Sequence, residues 1–102
     1  MYADRSVRDL SIILPYTVNQ VQSKIVEPNK ERTSLAIHVN HASAVVYFRF
    51  SEGVVAANGW PIRAYGSISL KIPEDDPTKE VWAISDTTGT PVRVYEGYGP
   101  VK

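Results

Sequence analysis

The pattern of residues predicts an all-β protein, an antiparallel β-sandwich or jelly-roll-like barrel folded as a single domain. Three observations predict it. Several segments alternate apolar and polar residues with a period of two, which places one side of an extended strand in a core and the other in water. Clusters of Gly, Pro, Asn and Asp interrupt the chain every ~8–15 residues, the spacing of sandwiches and barrels. No helical pattern of ~10–15 residues alternates with the strands, which argues against a parallel α/β sheet.

Taken in order, residues 1–18 are expected to form an N-terminal arm. Met1 to Asp9 holds Asp4, Arg5, Arg8 and Asp9 and shows little periodicity. The sandwich domain is expected over 19–97. Val18, Val21 and Ile25 are spaced like one face of a helix, but Pro28 and the β-branched residues of this stretch favour an irregular strand. Thr33 to Val39 puts Leu35, Ile37 and Val39 on one face and Ser34, Ala36 and His38 on the other. Asn40-His41-Ala42-Ser43 fits a short hairpin. Ala44 to Phe50 is apolar on both sides, as a central or covered strand would be. Asn58-Gly59 signals a tight turn, and Tyr65-Gly66 another. Ser67 to Ile72 alternates again, with Ile68, Leu70 and Ile72 on one face. Pro73 to Pro77 is a turn, Val81-Trp82-Ala83-Ile84 is apolar on both sides, and Asp86 to Gly89 turns into a strand in which Val92 and Val94 alternate with Arg93 and Tyr95. Residues 98–102 are expected to be a C-terminal tail.

Composition narrows the function. At 102 residues, with 43% hydrophobic and 22% charged residues, the chain is an ordinary globular domain. Lys plus Arg number 11 and Asp plus Glu number 11, so the net charge is zero, a poor match for phosphate backbones. Apolar runs such as Ile12-Ile13-Leu14 are far too short to span a bilayer. Neither nucleic acid nor membrane is therefore an expected partner. The absence of cysteine excludes disulfides, cysteine nucleophiles and Cys-based metal sites, and fits synthesis in a reducing cytoplasm. The polar start leads into no apolar stretch, so no signal peptide is expected.

Catalytic patterns are scarce. His38 and His41 are the only histidines, and three residues apart along a strand they point to opposite faces. Glu74, Asp75 and Asp76 lack the spaced ligands of a calcium loop and fit a solvated turn. No Gly-x-Ser-x-Gly elbow is present, and Gly97-Tyr98-Gly99 lacks the third glycine and following helix of a phosphate loop. We expect no enzymatic activity, no cofactor and no metal. The aromatics are more informative. Phe48, Phe50 and Trp82 are expected in the core. Trp60, Tyr65, Tyr95 and Tyr98 are candidate interface residues, since Tyr and Trp anchor subunit contacts. Trp60, Tyr65 and Tyr98 would equally suit a sugar-stacking platform.

Pro28-Asn29-Lys30-Glu31-Arg32-Thr33-Ser34-Leu35-Ala36-Ile37-His38-Val39-Asn40, followed by Val46-Tyr47, then by Asn58-Gly59 and Gly66 to Ile72, and closing with Glu80-Val81-Trp82-Ala83-Ile84-Ser85 and Val92-Arg93-Val94-Tyr95-Glu96-Gly97, resembles a pattern of small β-sandwich virion proteins of tailed phages. The likeness runs over roughly residues 25 to 97. Two departures stand out: Tyr65-Gly66 replaces the usual Pro-Gly, and Met1 to Val18 has no counterpart. The resemblance implies a virion structural protein made in the host cytoplasm, a capsid decoration protein or the base of a head spike or fibre. Its expected partners are capsid or other virion proteins and further copies of itself, a trimer suiting threefold shell sites. It also implies fold-maintaining roles: Arg32 bonding carbonyls or a carboxylate across the sandwich, Glu96 being one candidate, and Asn40 closing its turn through the side chain. The alternatives are a carbohydrate- or receptor-binding module and a tail or head-tail connector component.

Overall fold

The computed structural model describes residues 11–72 and 75–99. Among these are eight strands and no helix: β1 (Ser11–Val18), β2 (Ser23–Val26), β3 (Ser34–Val39), β4 (Val46–Arg49), β5 (Trp60–Ile62), β6 (Ser67–Lys71), β7 (Val81–Ser85) and β8 (Thr90–Gly97). They form two antiparallel four-stranded sheets, ordered β1-β8-β3-β6 and β2-β7-β4-β5. The pairs β1·β8, β2·β7, β3·β6 and β4·β5 nest like the arms of one long hairpin, and β3·β8 and β4·β7 close it on itself. This is the jelly-roll order, in which no strand pairs with its sequence neighbour except at the tip, β4·β5.

Period-two alternation builds the core. Leu35, Ile37 and Val39 of β3 and Val92 and Val94 of β8 face inward from one sheet, and Val46 and Phe48 of β4 and Val81 and Ala83 of β7 face them from the other. Val18, Ile25, Val26 and Ile62 complete the cluster, and Tyr16, Ile68 and Leu70 pack against its margins. Each fully buried Val, Leu, Ile or Phe side chain of this cluster contributes about 1.5–3 kcal/mol. The expected irregular strand is β2, whose register with β7 shifts between Lys24 and Val26.

Several expectations need correction. Ser11–Val18, assigned to the arm, is a full edge strand paired with β8 along its length. Ile12, Leu14, Tyr16 and Val18 alternate with Ser11, Ile13, Pro15 and Thr17, and burial rises along the inward side to Val18 in the core, a period-two signal that the assignment to an arm passed over. The rest of the arm, 1–10, falls outside the described residues, as do Glu74 of the acidic turn and 100–102 of the tail. Asn40-His41-Ala42-Ser43 is not a hairpin, because β3 and β4 lie in different sheets and the turn steps between them. Trp82 is not in the core: the smaller Val81 and Ala83 take the inward positions and turn the indole to the outer face, beside Lys24 and Arg49. Phe50 lies past the end of β4 and is 40% exposed. Asn58-Gly59 forms no two-residue hairpin. Such a turn needs positive φ, and in the loop over 50–59 only Gly53 has it.

That loop explains why β4 and β7 are apolar on both faces. Gln22, just ahead of β2, accepts hydrogen bonds through Oε1 from the Gly53 and Val54 amides at 2.8 and 3.0 Å. The loop therefore reaches back across its own sheet. Val54 is buried, and Gly59 packs against the Cβ of Tyr47 on the outer face.

Candidate functional site

Arg32 sits in the connection between β2 and β3 and is one of the few charged side chains of the described residues that is buried. Its Nη1 donates to the carbonyls of Pro77 and Lys79 at 2.9 and 3.3 Å, and its Nη2 to the carbonyl of Glu27. Its Nε lies 3.7 Å from Oε1 of Glu96 and has no hydrogen bond. Glu96 follows Val92 and Val94 in the inward series of β8, so period two carries a carboxylate to the edge of the core. The Tyr98 hydroxyl donates to Glu96 Oε1, and Asn29 Nδ2 approaches that hydroxyl at 3.4 Å. Burial, then the bond to Glu96, raises the Tyr98 phenol above its ordinary value. One guanidinium thus ties together the β2–β3 connection, the β6–β7 connection and the C-terminal end of β8. Tyr98, a candidate surface anchor by sequence, is turned into this cluster and half-buried.

The side chain of Asn40 makes no hydrogen bond among the described residues, although its backbone amide donates to Pro91 O at 2.9 Å. The turn is instead held by His41, a residue the sequence analysis left without a role. Its Nδ1 accepts from the Ser43 and Ala44 amides at 3.1 and 3.0 Å. His38 Nδ1 pairs with Ser67 Oγ at 2.8 Å. Asp86 accepts from the Val45 amide and the Thr87 hydroxyl, and these bonds, the first foremost, hold its carboxyl below the usual range. Asp76 is lowered likewise by Thr78. Among the described residues no three His, Cys, Asp or Glu side chains converge as metal ligands would.

Several large apolar side chains are exposed. Trp60 pairs with Phe48 across β4 and β5, and Phe48 meets Phe50 edge-to-face, with centroids 5.7 Å apart and planes at 76°. This aromatic line starts in the core and runs out into water, where Trp60 is 62% exposed. With Arg49, Ser51, Asn58 and Gly59 it lines an open groove of about 360 Å³. The Asn58 amide is spent on the loop: Oδ1 accepts from Val55 N and Nδ2 donates to Gly53 O. Tyr65 stands apart, exposed, at the tip of the Arg63–Gly66 turn closed by Gly66 N donating to Arg63 O at 2.7 Å. Its φ of 55° is one that glycine usually fills. Tyr95 lies on the outer face of the other sheet, directly opposite Ile13, and its hydroxyl is 3.0 Å from Ser11 Oγ.

No family model matches the chain, and no curated protein matches it. Among solved structures it is similar to a Bacillus endospore appendage protein, from a family of disulfide-linked pili, with 13% identity, 87% of this chain and 86% of the other covered, and a TM-score of 0.43. It is also similar to the coat protein of Tobacco streak virus, with 8% identity, coverage of 92% and 91%, and a TM-score of 0.36. At these levels neither contributes to the functional reading.

Proposed function

We propose that this chain is a non-enzymatic structural protein of a phage virion, a capsid decoration protein or the base of a head spike or fibre, which adheres to the shell and to sister copies. One observation carries the reading. The polar groups suited to chemistry are spent inside the fold, Arg32 with Glu96, His38 with Ser67 across β3 and β6, His41 and Asp86 with backbone amides, whereas Trp60, Phe50, Tyr65, Ile13 and Tyr95 stand in solvent on a two-layer scaffold. Exposed aromatic and aliphatic groups on rigid strands are the anchors of protein interfaces. The jelly-roll order occurs in capsid and lectin domains alike, so it is compatible with the reading without carrying it. Mass spectrometry of purified particles tests it: the chain should be present and should be released as an intact protein. Absence from the particles would overturn the proposal.

The groove favours a second reading, a carbohydrate- or receptor-binding module that stacks a sugar on Trp60. Selective glycan-array binding that disappears in Trp60→Ala would establish it.

A further inference from the structure

We propose that the outer edge of β1, which pairs with nothing among the described residues, is a self-association site, at which two copies pair their β1 strands antiparallel across a twofold axis. The inference rests on the assembly reading above and replaces the threefold contact expected from sequence with a twofold one.

Among the described residues four strands form the edges of the two sheets, and three of them are short as well as guarded by a charge or a proline. β2 has Lys24, β6 has Lys71, and β5 is only three residues long with Pro61 in its middle. Lysines, prolines and shortness are the usual devices against edge-to-edge pairing. β1 is eight residues long, carries no charge, and exposes Ile12 at 40% and Ile13 at 67%. Its one device is Pro15.

The ladder shows which groups of β1 are free. Asn40 N donates to Pro91 O and Val39 N to Gly66 O. With the registers of β3, these bonds mean that Pro91, Arg93, Tyr95 and Gly97 bond towards β3, so Val92, Val94 and Glu96 bond towards β1. Their partners there are Tyr16, Leu14 and Ile12. Ser11, Ile13, Pro15 and Thr17 therefore direct their backbone groups along the open edge, and Pro15 sits where its missing N–H costs the native sheet nothing.

This edge is complementary to itself. With the axis through Leu14, Ser11 faces Thr17 of the second copy and Ile13 faces Pro15. Every free group of Ser11–Thr17 then finds a partner except the Ile13 carbonyl, because Pro15 has no N–H to give. On the outer face the exposed Ile13 side chain, flanked by Tyr95 in its own copy, covers Pro15 of the other. The outer-face charge nearest the seam, Arg93, lies behind Pro15, so no like charges meet. A contact between two single strand edges is smaller than the ~1,000 Å² of a stable interface. The dimer should accordingly be weak in solution and favoured where copies are crowded on a particle.

The chain has no cysteine, so Leu14→Cys introduces a single thiol that meets its own copy across the axis. Under mild oxidation it should form a covalent dimer, since facing strand positions fall within disulfide reach, whereas Ser69→Cys on β6 should stay monomeric. In sedimentation velocity the wild type should show a reversible monomer–dimer equilibrium in the micromolar range. Ile13→Lys should weaken it by at least about tenfold with an unchanged melting temperature. A wild type that stays monomeric, forms trimers, or forms dimers indifferent to Ile13→Lys would overturn the inference. A chain present on purified particles yet monomeric in solution would leave the structural role standing and remove only this contact.

Discussion

Arg32 Nε and Glu96 Oε1 lie 3.7 Å apart, with the two side chains 1% and 11% exposed. A charge pair this enclosed costs desolvation on both sides and is repaid only when the remaining donors are satisfied. Here the carbonyls of Glu27, Pro77 and Lys79 accept three of the guanidinium's N–H groups, Nε faces the carboxylate without a hydrogen bond, and Tyr98 bonds the carboxylate.

Removing the cation should leave a buried carboxylate and orphaned carbonyls. Arg32→Ala is expected to cost about 3–5 kcal/mol, a large part of the ~5–15 kcal/mol of a small domain. Glu96→Gln, which keeps an acceptor for Tyr98, should cost less. Urea unfolding of the two variants measures the difference, and equal losses would contradict this account.

Gly59 has no room for a side chain. A Cβ there would meet the Tyr47 Cβ at 2.7 Å and the Val54 Cγ2 at 2.9 Å. Gly59→Ala should destabilise by about 1–3 kcal/mol through overpacking, visible as a lower melting temperature with the sheets intact by circular dichroism.

The acid limb of the stability curve should depend on Asp86. Its folded-state pKa is depressed, so its contribution is present above the unfolded value of ~3.9 and is lost as pH falls from there through the folded value. Asp86→Asn should remove part of that loss. Chemical denaturation at a series of pH values below about 5 should show a shallower decline in the variant.

Trp60 predicts the opposite dissociation of effects. Being 62% exposed, it should tolerate Trp60→Ala within about 0.5 kcal/mol, while binding to particles or to a glycan drops. A large stability loss with unaltered binding would assign the indole to packing.

Where a strand is apolar on one face only, alternation along the chain was enough to tell which residues face inward. Leu35, Ile37 and Val39, and Val92 and Val94, lie where period two puts them, because neighbouring side chains on a strand must point to opposite faces. The same rule, carried one step further, reaches Glu96, and an inward carboxylate demands a cation. Long-range pairing settled the rest. Ser11–Val18 alternates as well, with Ile12, Leu14, Tyr16 and Val18 on the inward side, but Ile13 and Pro15 blur the pattern, and its pairing along the whole of β8 is what shows it as a strand. Trp82 and Phe50 went outward because smaller residues or a strand end claimed the inner positions. That His41 and not Asn40 holds the turn, that Tyr98 is drawn to Glu96, and that β1 is, among the described residues, the one long edge without a charge all follow from which strand lies beside which. A period describes a residue's own face and carries no information about its neighbour.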